Sequence, residues 1–468
     1  MSFLSPAPKI ARLPASKIDG AYLKHRILNF AGIFLGYLCY YLLRNNVALA
    51  TPYLAKYGFS KTQLGWVLSM SPAAYGLSKF LMGNLSDRSN PRYFLTLGLL
   101  ISALAVFALG VVPGWATSTT VLGAVMLLNG CVQGMGAPPC YRTIAHWFPI
   151  RLRGRVVSVW STSHNVGAGL IALFVASCIG ANSKWHLFSW EAIFWFPGAF
   201  CVVMALFIMA IMVDTPQSVG LPSVEEYDAE YKTEAQQVEK EKAQQSSDDD
   251  EDERKMTGRE IMFKYVLSST TVWLLALANI FVYVIRYGLS NWAPLYLSSV
   301  DGPNLGHAFG ATGLTIFEYS GIGGMLFCGY LSDRFFKNNK AILSMLCLML
   351  VGVGIVCYHY ATTIYLASAA LILIGAFIYG PVMLVNLQGM NAVPKKAVGT
   401  TIGFLGLAGY WGGNISASAL LGYVLEHFSW DGMFKVFYAA CICSMVIFAL
   451  ISWISRNSRK KLKLEAGS

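Results

Sequence analysis

The chain has 468 residues, 55% of them hydrophobic and 13% charged, with a mean hydropathy of +0.52. A soluble domain carries roughly 25% charged residues, so composition excludes an ordinary soluble enzyme and places the chain in the membrane class. The net charge of +11 needs no nucleic-acid partner, because a basic face against anionic lipid accounts for it.

The first 26 residues are polar and basic (Lys9, Arg12, Lys17, Lys24, Arg26). They contain no short apolar stretch leading to a cleavage site, so a removed signal peptide is not expected. About 20 apolar residues cross a bilayer, and runs of that kind fall at 28–49, 64–85, 94–112, 121–146, 156–176 and 192–212. Six more follow at 273–297, 309–331, 342–360, 366–389, 398–421 and 434–454. Between the sets lies a polar segment with the run QQSSDDDEDERK, which reads as a solvated linker. The expected fold is an all-α membrane protein of twelve transmembrane helices in two pseudo-symmetric six-helix bundles. Residues 1–26 precede the first bundle (27–213), 214–259 form the linker, 260–455 the second bundle, and 456–468 a basic tail. The ten cysteines sit mostly in apolar runs such as CICSMVIF, without metal-site or framework spacing. They read as small buried residues, with no metal or disulfide implied.

Basic residues set the orientation. The loops after spans two, four, eight and ten hold ten Lys and Arg, among them Arg88, Arg151, Arg334 and Lys395, against three on the other side (Lys56, Lys61, Lys184). Both termini and the linker are therefore expected in the cytoplasm. The halves also echo one another. GNLSDR ending at Arg88 recurs as GYLSDR ending at Arg334, PIRLRG before Arg155 as VPKKAVG, and YLLR ending at Arg44 as YVIR ending at Arg286, at nearly one spacing. Duplicated halves mark a transporter whose site lies where the repeats meet.

Arg44 and Arg286 thus hold matching places in the first helix of each half, each three residues after a tyrosine (Tyr41, Tyr283) on the same helix face. An arginine at mid-membrane costs at least ~2.5–3.5 kcal/mol, and such residues face a protein interior or a water-filled cavity. The alternative for a single arginine is snorkelling from a helix end, which would have to arise twice. Paired guanidinium groups suit a phosphate or carboxylate, whose geometry their fork of donors matches. His164, in WSTSHNVGAG, is either a pore donor or a satisfied core histidine. Lys79, in YGLSKF, either guides anions or snorkels. Glu318, in IFEYSG, is expected to pair with a cation, Arg286 or Lys79, since a lone carboxylate there is costly. Tyr37, Tyr75, Tyr379 and Tyr410 offer hydroxyls to a ligand or pack in the core or headgroup belt. GMGAPP has no preceding strand and no P-loop lysine, so no nucleotide site is expected. No other enzymatic constellation or cofactor site is present.

The strings GIFLGYLCYYLLRNN, YGLSKFLMGNLSDRSNPR, GMGAPPCYRT, DTPQSVGLPSVEEY and FVYVIRYG resemble the organophosphate:phosphate antiporters of the major facilitator superfamily over nearly the whole chain. That resemblance implies exchange of an external organophosphate, glycerol-3-phosphate first, for internal inorganic phosphate across a bacterial inner membrane, by a monomer. It also implies fosfomycin uptake. By the same resemblance Arg44 and Arg286 bind the phosphate, His164 contacts substrate, and Lys79, Tyr37, Tyr41, Tyr75, Tyr283, Tyr379, Tyr410 and Glu318 line the cavity. Four positions depart from the family pattern. Asn45 and Asn291 stand where a lysine and an aspartate are usual, and are expected to replace an ion pair between the halves by an amide contact. Ala137 and Ser161 replace a tryptophan and an asparagine, which makes a larger substrate such as a hexose phosphate the alternative. A transporter-like sugar-phosphate sensor is the other.

Overall fold

A computed structural model describes residues 4–87, 89–179, 187–227, 261–336, 339–393 and 398–465. The acidic run of the linker and Arg88 of the first LSDR repeat lie outside the described residues.

The apolar runs form helices because only a helix satisfies its own backbone groups in lipid. The first half holds α1 (Ala15–Leu42), α2 (Asn46–Lys56), α3 (Lys61–Asp87), α4 (Pro91–Val111), α5 (Thr119–Gln133), α6 (Ala137–Trp147), α7 (Ile150–Cys178) and α8 (Ala192–Ile211). The second holds α9 (Thr270–Ser298), α10 (His307–Arg334), α11 (Lys340–His359), α12 (Ile364–Asn391), α13 (Val398–Leu407) and α14 (Leu421–Glu465), with π-helical turns at Ala408–Asn414 and Ser416–Leu420. By length and apolar composition alone, nine stretches of the described residues qualify as spans. The repeat-related helices α3 and α10 are absent from that set, and the last two spans run together. α3 and α10 carry Lys79 and Glu318 respectively, which is the polarity a central site requires.

Three predicted spans are not single regular helices. The first is interrupted at 43–45, where α1 gives way to α2. The fourth breaks at Gly134–Gly136, and α6 restarts with prolines in its first turn, where a missing N–H costs nothing. The eleventh unwinds into π-helical turns, and the following helix kinks at Ser429, whose φ is 55°. Two boundaries also differ: α1 begins at Ala15 and α14 reaches Glu465, so both helices continue through polar residues beyond the apolar runs.

The start of the linker is folded against the first half. Leu13 N–H donates to the Gly220 carbonyl at 2.8 Å and Ile10 N–H to Gln217 at 3.1 Å. The enclosed carboxylate of Asp214 accepts from Ala7 N–H at 2.8 Å and pairs with Arg142 at 3.4 Å. This clasp corrects the expectation that 214–227 is solvated linker.

The halves meet from the centre to the end remote from the termini. α3 and α14 touch backbone to backbone, since a Cβ on Gly65 would lie 2.5 Å from the Ser418 carbonyl oxygen and 3.0 Å from Gly422 Cα. Thr62 N–H, at the start of α3, donates to Glu426 Oε2 at 3.2 Å. α7 and α10 form the second seam, where Thr315 Oγ1 donates to the Gly169 carbonyl at 3.1 Å.

Candidate functional site

At the centre, the end of α1, the middle of α3, α7, α9, α10 and α12 and the π-helical turn after α13 turn polar side chains toward one another. Arg44 lies in the turn between α1 and α2. Its Nη1 donates to the Tyr41 hydroxyl at 2.9 Å. Its guanidinium carbon stands 4.3 Å from the ring centroid of Tyr75, 5.0 Å from Tyr41 and 5.7 Å from Tyr410, an arrangement in which ring quadrupoles stabilise the cation. Arg286, 8% exposed, lies within α9 at 4.4 Å from the Tyr379 ring, 4.9 Å from Tyr287 and 6.0 Å from Tyr283. Neither guanidinium makes an ion pair with a carboxylate among the described residues. Nη2 of Arg44 is buried with no hydrogen-bond partner.

The aromatic lining is continuous. Tyr75 meets Tyr410 edge-on at 4.8 Å, and Tyr283 meets Tyr410 at 5.6 Å. His164 is half-buried between Tyr41 at 5.2 Å and Tyr379 at 6.2 Å, so its ring bridges the two halves. Tyr37 sits at the margin, 5.4 Å from Tyr41 and 4.7 Å from Trp160. Lys79 is exposed, yet close enough to Tyr141, Tyr283 and Tyr410 to act on them electrostatically. On the side remote from the termini the α3–α14 and α7–α10 seams close the halves over the site.

Glu318 makes no contact ion pair with either cation expected of it, although Arg286 is near enough to act on it through charge. Its Oε2 accepts from the Tyr379 hydroxyl at 2.6 Å and from Asn165 Nδ2 at 2.9 Å, and neither Arg286 nor Lys79 is within ion-pair distance. Two neutral donors bind the carboxylate directly, while the Arg286 guanidinium, outside ion-pair contact, stabilises it through its charge. Asn45 and Asn291 line one small cavity of about 40 Å³ with Arg44, Tyr287 and Asn414. The expected amide contact is not formed, because Asn291 donates to Ser418 Oγ, in its own half, at 2.9 Å. Ala137 is buried at the start of α6, and Ser161 is half-buried on α7.

Several residues were missed from sequence. Tyr287 packs on Arg286 and donates to the Tyr410 hydroxyl at 3.4 Å; its adjacency to Arg286 was the available signal. Asn129 and Gln133 of α5 donate to the carbonyls of Leu43 at 3.0 Å and Tyr40 at 3.2 Å, which the chain break beside Arg44 leaves open. Asn165 carried the same signal as its neighbour His164, a polar side chain within an apolar span.

Two six-helix halves around a central pair of arginines, neither in ion-pair contact with a carboxylate among the described residues, define a membrane transporter rather than an enzyme. The sequence profile of the Major Facilitator Superfamily matches residues 33–417, and the chain belongs to that superfamily. It is 42% identical to the glycerol-3-phosphate transporter of Bacillus subtilis (strain 168), over 96% of this chain and 97% of the relative. It is 40% identical to the glycerol-3-phosphate transporter of Haemophilus influenzae, over 98% and 97%. Among solved structures, a bacterial homolog of the human lysosomal transporter Spinster, inward-facing and unoccupied, shares the fold with a TM-score of 0.71 at 15% identity, covering 92% of this chain and 97% of that one.

Proposed function

We propose that this transporter exchanges an external organophosphate for internal inorganic phosphate by rocking its halves about the Arg44–Arg286 site, with glycerol-3-phosphate as its principal substrate. The observation that carries the reading is a guanidinium on each half with no carboxylate in ion-pair contact among the described residues, one of them with a buried free donor. A buried charged donor without a partner is costly unless a ligand oxygen fills the place. A phosphate monoester carries about −1.5 to −2 near neutral pH, which balances two guanidinium charges. Empty, two such charges at ~10 Å and an effective dielectric of ~20 repel by about 1.7 kcal/mol, so closure is favoured only when the site is loaded. That coupling makes exchange obligatory. The relatives' names support glycerol-3-phosphate. The basic loops support cytoplasmic termini in a bacterial inner membrane, and with that orientation the site opens to the cytoplasm. The protein works as a monomer, since each chain holds both arginines.

Counterflow in vesicles reconstituted with the purified chain alone tests this. Phosphate-loaded vesicles should take up labelled phosphate and glycerol-3-phosphate, and empty vesicles little. Strong uptake into empty vesicles would overturn exchange in favour of cation-coupled symport. The small side chains of Ala137 and Ser161 favour a second reading, a pocket for hexose phosphates; preference for glucose-6-phosphate in the same assay would establish it.

A further inference from the structure

Asn165 is a first-half side chain that crosses the α7–α10 seam to a charged group of the second half. It is fully buried. Its Nδ2 donates to Glu318 Oε2 at 2.9 Å and to the Glu318 main-chain carbonyl at 3.2 Å. The same Oε2 accepts from the Tyr379 hydroxyl at 2.6 Å, and the Tyr379 ring carries the Arg286 guanidinium at 4.4 Å. Glu318 is 5% exposed.

We propose that Asn165 is a positioning residue that holds the Glu318 carboxylate off Arg286, and so leaves that guanidinium to a phosphoryl oxyanion; the inference rests on the phosphate reading above. A carboxylate one aromatic ring away from an arginine is an internal competitor for any anionic ligand, because the carboxylate–guanidinium fork is the strongest pairing open to both. Two neutral donors restrain it here. Tyr379 belongs to the same half as Glu318 and moves with it, whereas Asn165 belongs to the opposite half. When rocking parts α7 from α10, Asn165 withdraws, Glu318 turns to Arg286, and the bound dianion loses one of its two cations. The site then holds phosphate tightly with the seam closed and weakly with it open, which makes release part of the motion itself.

The test is the affinity of the purified full-length chain for inorganic phosphate and for glycerol-3-phosphate, in a double-mutant cycle. Asn165→Ala should weaken both ligands about tenfold or more, the scale of a lost hydrogen bond to a charged group. In a Glu318→Gln background, where no anion competes, Asn165→Ala should change affinity by no more than about twofold. Asn165→Leu is close in size and keeps the packing should the alanine variant fail to fold. It removes the donor without adding a charge, should weaken binding at least as much, and should again lose its effect beside Glu318→Gln. Equal losses in both backgrounds would mean that Asn165 merely packs, and would overturn the proposal. No loss in either would do the same. Failure of the unmodified chain to bind either ligand would instead defeat the phosphate reading, on which this inference depends.

Discussion

In the first half the chain breaks beside its arginine; in the second it runs straight through. Arg44 sits in the turn between α1 and α2, while Arg286 lies inside the 29-residue helix α9. The break frees carbonyl groups that cannot stay unpaired in a membrane interior. Asn129 takes the one on Leu43 and Gln133 the one on Tyr40, with Ser102 Oγ donating to Asn129 Oδ1 at 2.5 Å. In the second half the irregular backbone lies on a different helix, the π-helical turns after α13. There α9 itself supplies the donors: Asn279 to the Leu405 carbonyl at 2.9 Å and Trp292 Nε1 to Ala417 at 2.9 Å. Matching arginines are therefore held differently, one on a turn braced by amides and one within a continuous helix, while rings flank both. The repeat preserves the charge and not its mounting.

Lysine substitutions separate the two mountings most strongly. Lysine keeps the charge but loses the planar fork that grips phosphate and lies against an aromatic face. At Arg286 the continuous helix fixes the backbone from which the side chain is aimed. Arg286→Lys should weaken phosphate binding by roughly 100-fold. At Arg44 the turn lets an ammonium be re-aimed, so Arg44→Lys should cost only about tenfold by the same scale. Titration of the purified chain with inorganic phosphate measures both, and equal losses would show that the break in α1 confers no freedom on its arginine.

Asn129→Ala removes the brace on one side alone. It leaves the Leu43 carbonyl and the Ser102 hydroxyl without their partner, a loss of about 1–3 kcal/mol in stability. Uptake should fall several-fold through displacement of Arg44. Thermal unfolding of the detergent-solubilised protein reads the first effect and vesicle uptake the second. A stable variant with unchanged uptake would mean that the turn at 43–45 holds its shape without α5.

What could be read from the sequence follows from rarity. A charged residue inside an apolar run is costly enough to be noticed, and that cost, doubled by the repeat, exposed Arg44 and Arg286 and drew Lys79 and Glu318 after them. The brace was not legible. No Gly or Pro marks the break at 43–45, and an amide in α5 gives no sign that it faces a freed carbonyl 86 residues earlier. The groups that touch Glu318 were hidden for a related reason. Charge balance points to a cation, and Arg286 does act on the carboxylate, but the donors in contact with it are neutral and come from α7 and α12, distant in sequence. Nor did hydropathy give the helix ends, because α1 and α14 continue through polar residues that an apolar window rejects.

Tyr287 sharpens the comparison at its smallest scale. In the repeat it corresponds to Asn45, so the first half has no counterpart to its ring. The ring flanks Arg286 at 4.9 Å, and the hydroxyl reaches Tyr410, which in turn lies 5.7 Å from Arg44. Tyr287→Phe keeps the ring contact and deletes only a long 3.4 Å hydrogen bond, so phosphate affinity should fall no more than about threefold. Tyr287→Ala also removes the ring, and a cation–π contact in a desolvated site is worth about 2 kcal/mol. Its loss should therefore approach 30-fold, at about 1.4 kcal/mol per factor of ten. If the phenylalanine variant were as impaired as the alanine, the hydroxyl bridge to Tyr410 would be the means by which one arginine's position reaches the other.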